Sequence, residues 1–153
     1  MYCIKQPIDV AEFRASLTEA YQRFNALQRG EKRCFGVTMS QCMTLELLHQ
    51  GEHLMGRDLA QRLGLDTTTV TRVVDVLVRD GLVRRVRDEK GDRRRIFVSL
   101  TARGRALAEK LEGCADAYCQ RILARIPASK RDDVMSALRL LVRAIDELPA
   151  ECG

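Results

Sequence analysis

The chain has 153 residues, 46% hydrophobic and 31% charged, with a formal net charge of +5. That supports one compact core with helical extensions, and no apolar run approaches the ~20 residues a membrane-spanning helix takes. The positive balance suits a polyanionic partner without establishing one.

Helical spacing of Val10, Phe13, Leu17, Tyr21 and Phe24 predicts a first helix from about Ile8 to Gln28, begun after Pro7 with Asp9 as its cap. The preceding Met1-Tyr2-Cys3-Ile4-Lys5-Gln6 lacks the apolar centre of a secretion signal, so a cytoplasmic location is expected. Gly30 to Gly36 reads as a loop. Thr38 and Gln41 then have the spacing of a capping box, and the helix they open carries Cys42, Leu45, Leu47 and Leu48 as far as Gly51. His49 and His53, near its end, read as polar loop residues rather than ligands, while His53-Leu54-Met55 fits a short first strand.

A short helix follows from Gly56, with Leu59, Ala60 and Leu63 at helical spacing and Gly64 as its stop. Asp66 can cap the next helix and Gly81 can end it. Val70, Val73, Val74 and Leu77 fall on one side of that helix, leaving Thr68, Thr69, Arg72 and Arg79 on the other. After Gly81 the period changes. Leu82 to Arg87 and Arg95 to Leu100 are strand-forming runs joined by the turn residues Asp88 to Asp92. Arg84, Arg85, Arg87, Lys90, Arg93, Arg94 and Arg95 crowd this hairpin against only Asp88, Glu89 and Asp92. A helix-turn-helix followed by a basic hairpin is a winged helix, in a mainly α (α+β) chain.

A charge run is usually just a solvated face. Here it directly follows a helix whose open face is rich in threonine, where a reader of the DNA major groove needs short donors and acceptors. Thr67, Thr68, Thr69 and Arg72 are the candidate recognition surface. The helix dipole favours an anion at the threonines, and Arg72 suits either a guanine edge or a phosphate.

Beyond the wing, Thr101 can cap a helix running to about Ile126 before Pro127, with Leu107, Leu111, Cys114, Tyr118, Ile122 and Leu123 along one stripe. Such a helix spans roughly 37 Å, too long to bury against a compact winged helix alone. A last helix from about Ser129 to Leu148 repeats the pattern with Val134, Leu138, Leu141, Val142 and Ile145. Residues 1-36 and 101-153 thus read as a helical dimerisation region and 37-100 as the DNA-binding region, with a second copy of the chain as the simplest partner.

The series Leu59-Ala60-x-x-Leu63-Gly64-Leu65-Asp66-x-x-Thr69-Val70-Thr71-Arg72-x-Val74-Asp75-x-Leu77, then Gly81-Leu82-Val83-x-Arg85, Asp92-Arg93-Arg94 and Leu100-Thr101-x-x-Gly104, resembles the MarR (multiple antibiotic resistance regulator) family. The resemblance implies a homodimeric winged helix-turn-helix transcription factor, usually a repressor, bound to a pseudo-palindromic operator and released by a small molecule, oxidant or metal. It also implies that Arg94 enters the minor groove, Asp92 braces it, and Arg93 or Arg95 holds a phosphate. On that reading, removing Arg94 costs more affinity than removing Lys90.

Six cysteines remain to be explained: Cys3, Cys34, Cys42, Cys114, Cys119 and Cys152. They contain no Cys-x-x-Cys pair, and with two histidines they do not compose an ordinary zinc site. Cys42, at the fourth helical position, fits a buried small hydrophobe packed on Val37. Cys114 and Cys119 lie about 140° apart around one helix, so a single ion does not easily take both. Cys34 follows Lys32 and Arg33, whose charges favour its thiolate. Two effector readings follow: an oxidant, electrophile or thiophilic metal ion sensed by Cys34 and Cys42 with Cys114 or Cys119, or a small aromatic or apolar ligand held non-covalently between helices. No cofactor is otherwise called for. An enzyme lacks support, since no nucleophile stands beside a base and no glycine-rich phosphate loop is present. A non-specific architectural DNA binder is the other alternative, separable by its indifference to sequence.

Overall fold

The computed structural model describes residues 8–32, 35–51, 53–88, 91–92 and 94–148. Along the chain run α1 (Val10–Lys32), α2 (Met39–Gly51), β1 (His53–Met55), α3 (Gly56–Leu63), α4 (Thr67–Arg79), β2 (Val83–Arg87), β3 (Ile96–Leu100), α5 (Ala102–Arg125), a 3-10 turn (Ala128–Lys130) and α6 (Arg131–Asp146). The described residues up to Ala115 form one compact unit, and those from Asp116 onward form a second.

The first unit is a mainly helical winged helix. Its three-stranded antiparallel sheet has the order β1-β3-β2, with Leu54 opposite Val98 on one side of β3 and Arg85 opposite Val98 on the other. The core gathers one face of α2, α3, α4, the sheet and the start of α5: Cys42, Leu45 and Leu48 from α2, Leu59 and Ala60 from α3, Val70, Val74 and Leu77 from α4. Val83, Val98 and Leu100 from the sheet, and Ala108 and Leu111 from α5, complete it. Leu45, Leu59, Leu77 and Leu111 are fully enclosed, each contributing about 2 kcal/mol of hydrophobic burial.

Local signals set the helix ends. Ala11 N–H donates to the Asp9 carboxylate at 3.1 Å. Thr38 and Gln41 form the reciprocal box, Thr38 N–H donating to Gln41 Oε1 at 2.8 Å and Gln41 N–H to Thr38 Oγ1 at 3.3 Å. At the end of α4, Gly81 takes φ +70°. That left-handed turn lets Gly81 N–H reach Val78 O at 3.0 Å and Leu82 N–H reach Leu77 O at 2.9 Å.

Three expectations are corrected. α1 continues through Gly30 to Lys32, so the expected loop begins later; one glycine inside a helix costs only about 1 kcal/mol. The strands begin at Val83 and Ile96 rather than Leu82 and Arg95, because Leu82 N–H is spent closing α4 and Arg95 N–H donates to Asp92 O at 2.8 Å. The histidines divide: the expected strand from His53 to Met55 is present, whereas the loop placement of His49 is corrected. His49 belongs to α2, with Nε2 3.4 Å from Glu112 Oε2 of α5, and His53 opens β1 with Nδ1 2.6 Å from Ser99 Oγ.

The first turn of α5 is fastened to the end of α4. Thr101 N–H donates to Leu82 O at 3.0 Å, Thr101 Oγ1 lies 2.7 Å from Gly81 O, and Arg103 Nη1 donates to Asp80 O at 3.1 Å. Gly104 sits where a Cβ atom would fall 1.8 Å from Leu82 O, so only glycine permits this approach. Three successive carbonyls leaving α4 are thereby held by α5.

The apolar stripe of α1 faces solvent, with Phe13, Leu17 and Phe24 each at least 38% exposed. In the second unit Met135, Leu138, Val142 and Ile145 of α6, spaced as one helical face, are 40–57% exposed. No helix among the described residues is long and apolar enough to cross a membrane.

Candidate nucleic-acid interface

The recognition surface starts at the cap of α4. Asp66 Oδ1 accepts Thr69 N–H at 2.8 Å, and Oδ2 accepts the Thr69 hydroxyl at 2.6 Å. The Thr69 hydroxyl first, and its N–H second, hold the Asp66 carboxyl below its ordinary pKa of 3.8. Thr69 is therefore half-buried with its proton spent on the cap. The Thr71 hydroxyl similarly donates back to Thr67 O at 2.8 Å. Thr67 and Thr68 stand exposed at the helix N-terminus, and Arg72, also exposed, has no ion-pair partner among the described residues.

At 100° per residue, the line directly opposite buried Val70, Val74 and Leu77 consists of Thr68, Arg72, Asp75 and Arg79. Thr69, expected on that line, is off it, and Asp75, which the expectation passed over, is on it. The i, i+4, i+7, i+11 spacing from Thr68 is the signal that finds it. Asp75 is not bare: its Oδ1 accepts a 2.5 Å charged hydrogen bond from Arg85 Nη2 of β2.

The wing is shaped by its own aspartates. Asp88 N–H donates to Arg95 O at 3.1 Å, and Asp88 Oδ1 accepts Gly91 N–H at 2.9 Å. Asp92 Oδ1 accepts Arg94 N–H at 3.0 Å. That bond ties the Asp92 carboxylate to the Arg94 backbone, and Arg94 and Arg95 are both exposed. Lys90 and Arg93 lie outside the described residues. Arg84 and Arg87 are exposed on β2.

The candidate thiols are scattered. Cys42 is fully buried, its Sγ 3.5 Å from Glu46 Oε1; Cys114 is half-buried, and Cys119 is exposed in the second unit. Cys3, Cys34 and Cys152 lie outside the described residues. Among the described residues, no group of three or more His, Cys, Asp or Glu side chains is placed to hold a metal ion.

A helix-turn-helix whose second helix runs into an antiparallel hairpin, closed by a short strand ahead of α3, defines a winged helix-turn-helix protein. A sequence profile of the MarR family matches residues 35–95. The chain is 30% identical over 106 residues to the HTH-type transcriptional repressor Rv2887 of Mycobacterium tuberculosis, covering 69% of this chain and 76% of that one. It is 28% identical over 137 residues to the HTH-type transcriptional repressor NicR of Pseudomonas putida, covering 89% and 86%. The solved structure of Bordetella bronchiseptica BpsR, whose DNA binding is regulated by 6-hydroxynicotinic acid, matches with a TM-score of 0.74 at 26% identity, over 94% of this chain and 100% of that one. The chain belongs to the MarR family of transcriptional regulators, and is a regulator rather than an enzyme.

Proposed function

We propose that the protein is a homodimeric repressor that places α4 in the major groove of a pseudo-palindromic operator and the wing arginine Arg94 in the adjacent minor groove. The observation that carries this reading is the shared exposure of Thr68, Arg72 and Arg79 on α4, beside a wing whose aspartates are occupied by backbone donors. Thr67 and Thr68 take phosphate oxygens at the helix N-terminus; Arg72 reads a base edge or anchors a phosphate. Arg95, with Arg93 and Lys90 from the same hairpin, supplies sequence-independent attraction. The dimer is supported by the exposed apolar stripes of α1 and α6, which one copy leaves wet.

The effector proposed is a small aromatic acid bound non-covalently. Burial of Cys42 and its contact with Glu46 favour this over thiol sensing, as does the regulation of the related BpsR by 6-hydroxynicotinic acid. Sensing of an oxidant or thiophilic metal through Cys34, with Cys114 or Cys119, is the competing proposal. The test is fluorescence anisotropy with a duplex from the gene's own upstream region, with sedimentation to fix the assembly. Tight, sequence-selective binding by a dimer, weakened by aromatic acids and indifferent to mild thiol oxidation, is the expected result. Equal binding to random duplex overturns the operator reading, and release by oxidation that vanishes in Cys34→Ser overturns the effector reading.

A further inference from the structure

The exposed line of α4 holds an oddity for a surface meant to meet phosphates: a carboxylate, Asp75, between Arg72 and Arg79. Its partner Arg85 belongs by sequence to the basic run of the wing, yet points the other way. β2 alternates, so Val83 and Arg85 share the side turned to α4, whereas Arg84 lies on the opposite side. We propose that Asp75 and Arg85 are a positioning pair that sets the angle between recognition helix and wing, and that Arg85 spends its charge on Asp75 rather than on a phosphate.

The lever arms follow from the chain. α4 and β2 are joined through Gly81, about which the two elements turn. Asp75 lies about 9 Å back along the helix from it, at 1.5 Å per residue. Arg85 lies about 13 Å along the strand, at 3.3 Å per residue, and the hairpin tip roughly twice as far out. A 2 Å slackening at the brace therefore moves the tip by about 4 Å, more than the reach of a hydrogen bond. The pair is exposed, 40% at Arg85 and 57% at Asp75, so it adds little to stability. Its effect is felt in where the tip points.

This inference rests on the DNA-binding reading above, and one set of full-length variants separates the two. Affinities for the upstream duplex and for random duplex are measured across a salt series for wild type, Asp75→Asn, Arg85→Gln, the double variant and Arg94→Ala, with circular dichroism confirming each fold. A positioning pair predicts that Asp75→Asn and Arg85→Gln each weaken specific binding by about tenfold, and that the double variant loses no more than either single. Binding to random duplex and the salt slope should then stay at wild-type values, which a phosphate-binding Arg85 would not allow. If Arg85 instead holds phosphate, Asp75→Asn strengthens binding, and Arg85→Gln lowers the slope by about 0.9 for each phosphate no longer neutralised; that outcome overturns the proposal. Unchanged specific affinity in both single variants overturns it as well. Loss of operator preference nowhere, not even in Arg94→Ala, points instead to failure of the DNA reading itself.

Discussion

Replacing Gly104 by alanine sets two effects of opposite sign against each other. Alanine is the better helix former by about 1 kcal/mol, which alone would stabilise α5. Against this, the new Cβ would fall 1.8 Å from Leu82 O and 2.8 Å from its carbonyl carbon, where real Cβ atoms do not come within 3.0 Å. The first turn of α5 must therefore retreat by at least 1.2 Å, the difference between those limits. That retreat stretches the 3.0 Å bond from Thr101 N–H to Leu82 O and the 3.1 Å bond from Arg103 to Asp80 O beyond useful range. Two or three hydrogen bonds at about 1 kcal/mol each, less the propensity gain, leave a net loss of roughly 1–2 kcal/mol. For a chain of this size that lowers Tm by about 2–8 °C. The control is Gly113→Ala in the same helix, where nothing lies within 4 Å of the added atom and a rise in Tm is expected. Thermal melts at equal protein concentration decide it. A Gly104→Ala variant as stable as wild type, or more so, would refute the claim that α5 is fastened to the end of α4 by this close approach.

Other expectations are simpler to state. Arg94→Ala should weaken specific binding by tenfold or more, in the range of about 1–3 kcal/mol that one good groove interaction supplies, and by more than Lys90→Ala in the same anisotropy titration. Asp66→Asn should lower Tm at neutral pH by weakening the cap of α4. Because the folded Asp66 carboxyl is held below 3.8, its contribution is fully present above that value and is lost as pH falls through the lower folded value. Melts from pH 7 to pH 2.5 should thus show the gap between wild type and variant closing on acidification. Cys42→Ala should cost about 1 kcal/mol in denaturant unfolding through poorer packing while leaving the response to an aromatic acid intact.

Much of the winged helix was legible because its signals are local. The Thr38–Gln41 box, the Asp66 cap, the Gly81 stop and the change from helical to strand spacing each depend on residues within a few positions of one another. What sequence left open is what distance along the chain hides. The bond between Asp75 and Arg85 joins residues ten apart, and the close approach at Gly104 depends on a carbonyl twenty-two positions earlier; no periodicity reports either. The cap hid Thr69 in another way. Its side chain reads as an open donor until Asp66 is seen to take both of its hydrogens. The loop placement of His49 failed because α2 runs on past it to Gly51, while His53 stands in the short strand its sequence suggested.

The central claim, that α4 and the wing of two copies read successive turns of one DNA face, is tested most directly by a hydroxyl-radical footprint on the upstream duplex. Two protected half-sites are expected, related by a dyad and centred one helical turn, about 10–10.5 base pairs, or a multiple of it apart. Both should fade in Arg72→Ala. A single unpaired half-site, or uniform protection that ignores sequence, would contradict it.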